Sequence, residues 1–145
     1  MHLKLRALRW LLAVAGLLAW RLVVAGPAAA AAGHLDPSFG GDGKVNTDFN
    51  GQAGANAVVV QDGKLVAAGF GLAGSIVDFA LARYRHNGTL DPTFGTGGRV
   101  TTGFADVLGG DELVNALVLR DGKLVAAGST ITASGGQRFA LARYK

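Results

Sequence analysis

The feature that most constrains the fold is an internal repeat that occupies the chain from residue 34 onward. Residues 34–49 (HLDPSFGGDGKVNTDF) return as residues 89–104 (TLDPTFGTGGRVTTGF), 55 positions later. Two further segments also recur, DGKLVAAG at 62–69 and 121–128, and FALARY at 79–84 and 139–144. Repeats of this length indicate one supersecondary unit stacked on a copy of itself.

Each unit contains four strand candidates. KVNTDF (44–49) and RVTTGF (99–104) alternate apolar and polar residues, as half-buried strands do. NAVVVQ and NALVLR are aliphatic runs, and each meets KLVAAG across an Asp-Gly dipeptide, Asp62-Gly63 or Asp121-Gly122. This dipeptide predicts a type I′ hairpin, since both central residues of that turn need positive φ.

FALARY is the fourth strand candidate. A side-chain period of two puts Phe79, Leu81 and Arg83 on one face and the small side chains of Ala80 and Ala82 on the other, with Tyr84. The alanines would allow a neighbouring sheet to approach closely. The LDPSFG and LDPTFG segments are predicted to be connectors, with Asp36-Pro37 and Asp91-Pro92 opening type I turns. We expect Phe39 and Phe94 to anchor these turns in the core.

These motifs together resemble the delta-60 repeat family, whose tandem repeats occur in secreted or surface-attached bacterial proteins. The resemblance extends over residues 34–145 and implies export and a β-propeller-like fold, but no reaction. Four antiparallel strands per repeat with short links are also typical of a propeller blade. We therefore expect an all-β fold of two four-stranded antiparallel blade-like repeats, at 33–88 and 89–145.

Residues 1–32 have the organisation of a signal peptide. A basic start (MHLKLRALR) precedes an apolar stretch from Trp10 to Trp20, and the small residues of AGPAAAAAG follow. We expect an apolar signal helix here, with cleavage among Ala30 to Ala32. Arg21 argues against a permanent membrane span, although an uncleaved anchor is the alternative. The expected location is outside the cell or in the cell envelope, with membrane contact only through this segment.

Charge excludes nucleic acid as the main partner. The chain has a formal net charge of +4, and four of its 14 Lys and Arg residues lie in the first 32 residues, which contain no Asp or Glu. The repeats carry 10 basic and 10 acidic residues and are neutral, so they lack the basic surface of a nucleic-acid-binding protein.

One stretch suggests an enzyme. GFGLAG (69–74) follows an apolar run and precedes SIVDFALARYR, as in a dinucleotide-binding turn, and Asp91 stands near the position of a ribose-binding acid. The second repeat argues against this interpretation, because STITASGGQR stands between the same flanks there. The glycines are then loop variation, and Asp91 is the counterpart of Asp36.

No other residue pattern predicts chemistry. His2, His34 and His86 lack the paired spacing of a zinc site, there is no G-x-S-x-G motif, and the serines are predicted in turns or loops. Asp36, Asp42 and Asp48 suggest a calcium loop, but Gly97 and Gly103 replace the last two in the second repeat. We predict no catalytic, cofactor-binding or metal-binding residues. Arg83 and Arg143, which recur beside tyrosines, are expected to have a structural cation–π or cross-strand role.

Two blades are fewer than the roughly four to eight of a closed propeller. We therefore expect self-association or docking onto another repeat protein, with a fragment of a longer array as the alternative. The predicted function is that of an exported, non-enzymatic structural or binding module. The alternatives are an enzyme with a nucleotide site at GFGLAG and an exported hydrolase or lyase with its site in a propeller channel.

Overall fold

The structure, a computed structural model, describes residues 32–74, 76–104, 110–132 and 134–145. The chain divides into two compact units, Met1–Gly33 and His34–Lys145. The expected signal helix lies outside the described residues. Within the described ranges, no helix is long and apolar enough to cross a membrane.

Seven strands make up the regular structure of the described residues, and they confirm an all-β fold. They form two antiparallel sheets, β1-β2-β3-β4 and β5-β6-β7, in which sequential strands are neighbours. Their bounds are β1 Ala53–Gln61, β2 Lys64–Ala73, β3 Ile76–Tyr84, β4 Arg99–Thr102, β5 Glu112–Arg120, β6 Lys123–Ile131 and β7 Gln137–Tyr144.

Tight hairpins join the first two strands of each sheet, as the Asp-Gly dipeptides predict. Asp62 and Gly63 have φ of 50° and 74°, and Asp121 and Gly122 have φ of 50° and 71°, which are the positive values that a type I′ turn requires. The same irregularity also recurs in both sheets. The register shifts between Ala55 and Ala57 in β1 and between Val114 and Ala116 in β5.

The fourth strand of the first sheet comes from the second repeat. β4 pairs with β3, placing Thr102 opposite Phe79 and Val100 opposite Leu81. The expectation of four strands within each repeat is therefore wrong, and the second sheet has three described strands. Residues 44–49, expected to be a strand, belong to neither sheet. Their alternating pattern matches that of β4, but β4 pairs with a strand of the repeat before it, and no described strand takes that place beside residues 44–49.

The core lies between the two sheets, because β5 packs against β1, β2 and β3. Phe79 and Leu81 of β3 are fully buried there, together with Leu124 of β6. Phe104, just after β4, meets Phe79 edge-on, with ring centroids 5.2 Å apart. Polar contacts fix the stacking, since the Asn56 side-chain amide donates to the Val114 carbonyl at 2.8 Å.

Each sheet has two distinguishable faces. We call the side of Phe79 and Leu81, and its counterpart with Phe139 and Leu141, the trailing face. The opposite side is the leading face, whose members on β3 and β7 are Ala80, Ala82, Tyr84, Ala140, Ala142 and Tyr144. The trailing face of the first sheet packs against the leading face of the second. The small alanines thus allow close approach, as predicted.

Candidate functional site

The junction between the repeats is organised around Asp91. This residue opens the LDPTFG turn and is 1% exposed. Its Oδ2 accepts hydrogen bonds from Lys64 Nζ at 2.7 Å and from Arg83 Nε at 2.9 Å. Its Oδ1 accepts from the backbone N and the hydroxyl of Thr93, at 3.2 and 2.9 Å. Strands β2 and β3 of the first repeat therefore hold the opening turn of the second.

These contacts keep Asp91 ionised. The hydrogen bond from Lys64, followed by those from Thr93 and the positive charge of Arg83, holds the pKa of this carboxyl far below its usual range, although burial opposes the shift. A carboxylate with all these partners fixes the LDPTFG turn to β2 and β3. We assign it a structural role, as the LDP repeat predicts.

Arg83 connects the turn to the core. Its guanidinium lies over the Phe94 ring, 4.6 Å from the centroid, and donates to Gln61 Oε1 and Thr93 Oγ1, both at 3.1 Å. The expected structural role is thus observed, with Phe94 rather than the adjacent Tyr84 as the aromatic partner. Phe94 is buried, as predicted, whereas Phe39 is only half-buried.

The residues that bind the LDPTFG turn have counterparts at the outer edge of the second sheet, where no described turn is bound to them. Arg120, Lys123 and Arg143 are the counterparts of Gln61, Lys64 and Arg83, and they line an open cleft of about 640 Å³ with Val125 and Leu141. The side chains of Lys123 and Arg143 are exposed and make no hydrogen bond or ion pair with any residue that the structure describes.

Equivalent apolar residues differ sharply in exposure. Leu81 is 0% exposed and its counterpart Leu141 is 64% exposed; for Phe79 and Phe139 the values are 0% and 98%. The trailing face of the second sheet is therefore uncovered. An exposed apolar patch of this kind is typical of an interaction surface.

The leading face of the first sheet is also partly exposed. Val58 is exposed on the leading face of the first sheet, whereas its counterpart Leu117 is buried in the core. Residues 44–49 lie beside this face, where Thr47 Oγ1 is 2.6 Å from the Tyr84 hydroxyl. They enclose a cavity of about 260 Å³ against Ala80 and Ala82.

GFGLAG does not form a phosphate-binding turn. Residues 69–73 belong to β2, and the next element, β3, is a strand rather than a helix. The interpretation as loop variation is wrong for Gly69 and Gly71, which pair with Ala80 and Asp78, whereas Gly74 lies in the turn after β2. Position 69 of the strand needs a glycine, because a Cβ there would overlap the Gly54 carbonyl oxygen at the irregularity of β1.

The remaining candidates are turn residues. Asp36, Asp42 and Asp48 accept hydrogen bonds from the backbone N of Ser38, Lys44 and Gly51, and the bonds from Ser38 lower the pKa of Asp36. His34 and His86 are exposed. No group of three or more potential metal ligands occurs among the described residues. Ser129, predicted in a loop, lies within β6.

The sequence analysis did not identify Lys64 as a junction residue. The available signal was its recurrence as Lys123, directly after each Asp-Gly turn. A recurring cation suggests a recurring acid as its partner, and Asp36 and Asp91 of the LDP turns are one such pair of acids.

The comparisons with known proteins concern the repeats. A family model described as "Domain of unknown function (DUF5122) beta-propeller" matches residues 61–94 and 119–145. No curated protein matches the chain. No solved structure matches it either. The first matched segment runs from the end of β1 through the LDPTF turn, and the second runs from the end of β5 through β7. Two matched segments that start at nearly equivalent points of the two repeats, together with two antiparallel sheets, support a propeller-type repeat family for this chain.

Proposed function

We propose that this chain is an exported, non-enzymatic propeller-type module of the delta-60 repeat class, which acts by binding at the cell envelope or outside the cell. The observation that carries the proposal is the uncovered trailing face of β7. Phe139 and Leu141 are exposed, whereas their counterparts in the first sheet, Phe79 and Leu81, are fully buried. A surface of this composition has the properties of a binding face.

The polar residues support a non-enzymatic role. Asp91 and Arg83 are the acid and base with the most partners in the junction, and three of their hydrogen bonds join one repeat to the next: Lys64 to Asp91, Arg83 to Asp91 and Arg83 to Thr93. Both residues recur, as Asp36 and Arg143. Recurrence is expected of groups that stack repeats, whereas a single active site needs only one set.

Export is supported by the first 32 residues alone, so its test uses the full chain. We expect a C-terminally tagged chain expressed in a bacterial host to leave the cytoplasm and begin after a cleavage among Ala30 to Ala32 by mass spectrometry. The product would lack tryptophan emission, because both tryptophans, Trp10 and Trp20, precede the cut.

The matched control breaks the apolar stretch with Leu12→Arg and Leu17→Arg, and we expect this variant to stay in the cytoplasm. Cytoplasmic retention of the unmodified chain with its tryptophan emission intact would contradict export.

Equilibrium dialysis with ATP and NAD tests the enzyme alternative. Binding of either that is lost in Gly71→Ala would support a nucleotide site and overturn the non-enzymatic assignment.

A further inference from the structure

β7 has the same place in the second sheet as β3 has in the first. β3 pairs with a fourth strand on its other side, whereas β7 pairs with no fourth strand among the described residues. In the first sheet, residues 99–102 form β4 and cover β3. Their sequence counterparts, residues 44–47, belong to no sheet. β7 pairs with β6 on one side and with no described residue on the other. One chain thus carries an unpaired edge and a segment that matches the missing strand.

The turn that precedes the segment shares two backbone hydrogen bonds with the turn that precedes β4. In the turn before the segment, Phe39 N donates to the Asp36 carbonyl at 3.0 Å and Gly43 N to the Phe39 carbonyl at 2.7 Å. The turn before β4 makes the same two bonds, from Phe94 N at 3.1 Å and from Gly98 N at 2.9 Å. A segment fixed in its bound conformation loses less entropy on association.

Residues 44–49 also make the contact with the neighbouring sheet that β4 makes. Thr102 of β4 accepts a hydrogen bond from the Tyr144 hydroxyl at 3.0 Å, across the stack of sheets. Thr47 contacts the Tyr84 hydroxyl at 2.6 Å in the equivalent arrangement. Residues 44–49 therefore pack against the first sheet as β4 packs against the second. Unlike β4, they pair with no described strand.

The charge of the turn before residues 44–49 is complementary to the charges beside the edge of β7. Asp36 is exposed, with hydrogen bonds from its own turn at Ser38. Lys123 and Arg143 are exposed beside the empty cleft. In the interior junction, the equivalent three residues are Asp91, Lys64 and Arg83, and the two cations are bound to the acid.

We propose that a second copy of this chain covers the trailing face of the second sheet, adding its residues 44–47 to β7 as a fourth antiparallel strand. The β3–β4 register transfers to Lys44 opposite Ala142, Val45 opposite Leu141, Asn46 opposite Ala140 and Thr47 opposite Phe139. Asp36 of the incoming copy binds Lys123 and Arg143. The inference rests on the proposed binding role and names the partner.

The two surfaces of this interface differ, so each added copy presents a new edge. Such a heterologous contact closes into a ring or continues as a filament. Pairing through the backbone supplies affinity, and the side chains at alternate positions supply register. The exposed apolar side chains Phe139 and Leu141 are buried in the contact, as Phe79 and Leu81 are within one chain.

Disulfide trapping tests the register, because the chain contains no cysteine. Directly opposite residues in antiparallel strands have Cα atoms about 4.5–5.5 Å apart, within disulfide range, whereas diagonal neighbours are about 7–8 Å apart. We expect the full chain carrying Val45→Cys and Leu141→Cys to give a ladder of covalent oligomers on oxidation, with the two cysteine peptides linked in mass spectra. Both positions are exposed in the single chain.

The matched control is Thr47→Cys with Leu141→Cys, which shifts one cysteine to a diagonal position; its ladder should be at least tenfold weaker. Adding Phe139→Glu to the first pair should abolish the ladder, whereas Ser134→Glu, in the exposed β6–β7 turn, should leave it. Equal ladders from both cysteine pairs, or none from either in chains with unchanged melting, would overturn the proposal. Export is measured separately, so either proposal can fail alone.

Discussion

The Tyr144 hydroxyl donates a hydrogen bond to Thr102 Oγ1 at 3.0 Å, from the last strand of the second sheet to the last strand of the first. This contact crosses the boundary between the sheets at the edge farthest from β1 and β5. With Asn56 bonded to Val114 near β5, it fixes the stacking at both sides of the interface. The second sheet therefore packs on a blade that the second repeat itself completes.

Tyr144 should be a reporter of this stacking at high pH. Burial raises the pKa of its phenol, although the hydrogen bond with Thr102 opposes the shift. The neutral form is favoured in the folded state, so its contribution to stability is present below the unfolded pKa of about 10 and is lost as pH rises through the folded pKa. In Tyr84→Phe, which leaves Tyr144 as the only tyrosine, ultraviolet titration should show ionisation above pH 10. Ionisation at or below the model-peptide value would contradict the burial.

Replacing Asp91 should destabilise the chain, and Asp36→Asn is the matched control. Asp91→Asn removes the charge that Lys64 and Arg83 bind, so we expect a clear fall in the melting temperature at neutral pH. Asp36→Asn, in the equivalent turn of the first repeat and without those cations, should leave the melting of the dissociated chain nearly unchanged.

The penalty of Asp91→Asn should also depend on pH. The depressed pKa of Asp91 means that its contribution is fully present above the unfolded value of about 4 and declines as pH falls further. The two melting curves should therefore converge in strong acid. A penalty that stays constant down to the acid limit would show that the charge is not the cause.

Gly69→Ala should destabilise the first sheet, because the added Cβ meets the backbone oxygen of Gly54, which cannot move without shifting β1. We expect a loss of about 1–3 kcal/mol in the free energy of unfolding, as for other overpacked sites. Gly136→Ala is the control, since its Cβ would meet only the Thr132 side chain, at 3.2 Å, and its φ is ordinary. Equal urea midpoints for the two variants would contradict the account.

The repeat permits a paired test of the core. Leu81→Ala removes a fully buried side chain and should cost about 2–5 kcal/mol in the free energy of unfolding. Leu141→Ala changes the equivalent residue on the uncovered face, so its cost in the dissociated chain should be well under 1 kcal/mol. Urea unfolding at a concentration that dissociates any assembly measures both. Similar costs would show that the faces are not distinguished as described.

The local elements could be predicted from the sequence because their signals are local. The Asp-Gly turns need only positive φ at the two residues of each dipeptide, Asp62-Gly63 and Asp121-Gly122, and the faces of β3 follow from the side-chain period. The limits of the sheets could not be predicted. Whether residues 44–49 or 99–102 cover β3 depends on which repeat supplies the partner, and both have the same alternating pattern. Likewise, the glycines of 69–74 suggest a loop until the close approach of Gly54 is known.

The solution mass of the intact chain tests the central claim most directly. We would measure it by light scattering after size exclusion, over a hundredfold dilution, and compare it with the denatured mass of the same product. If the second sheet is completed by another copy, the mass should be at least twice the chain mass; two to four copies would close a propeller of the usual four to eight blades. A chain that elutes as a folded monomer at every concentration would contradict the claim.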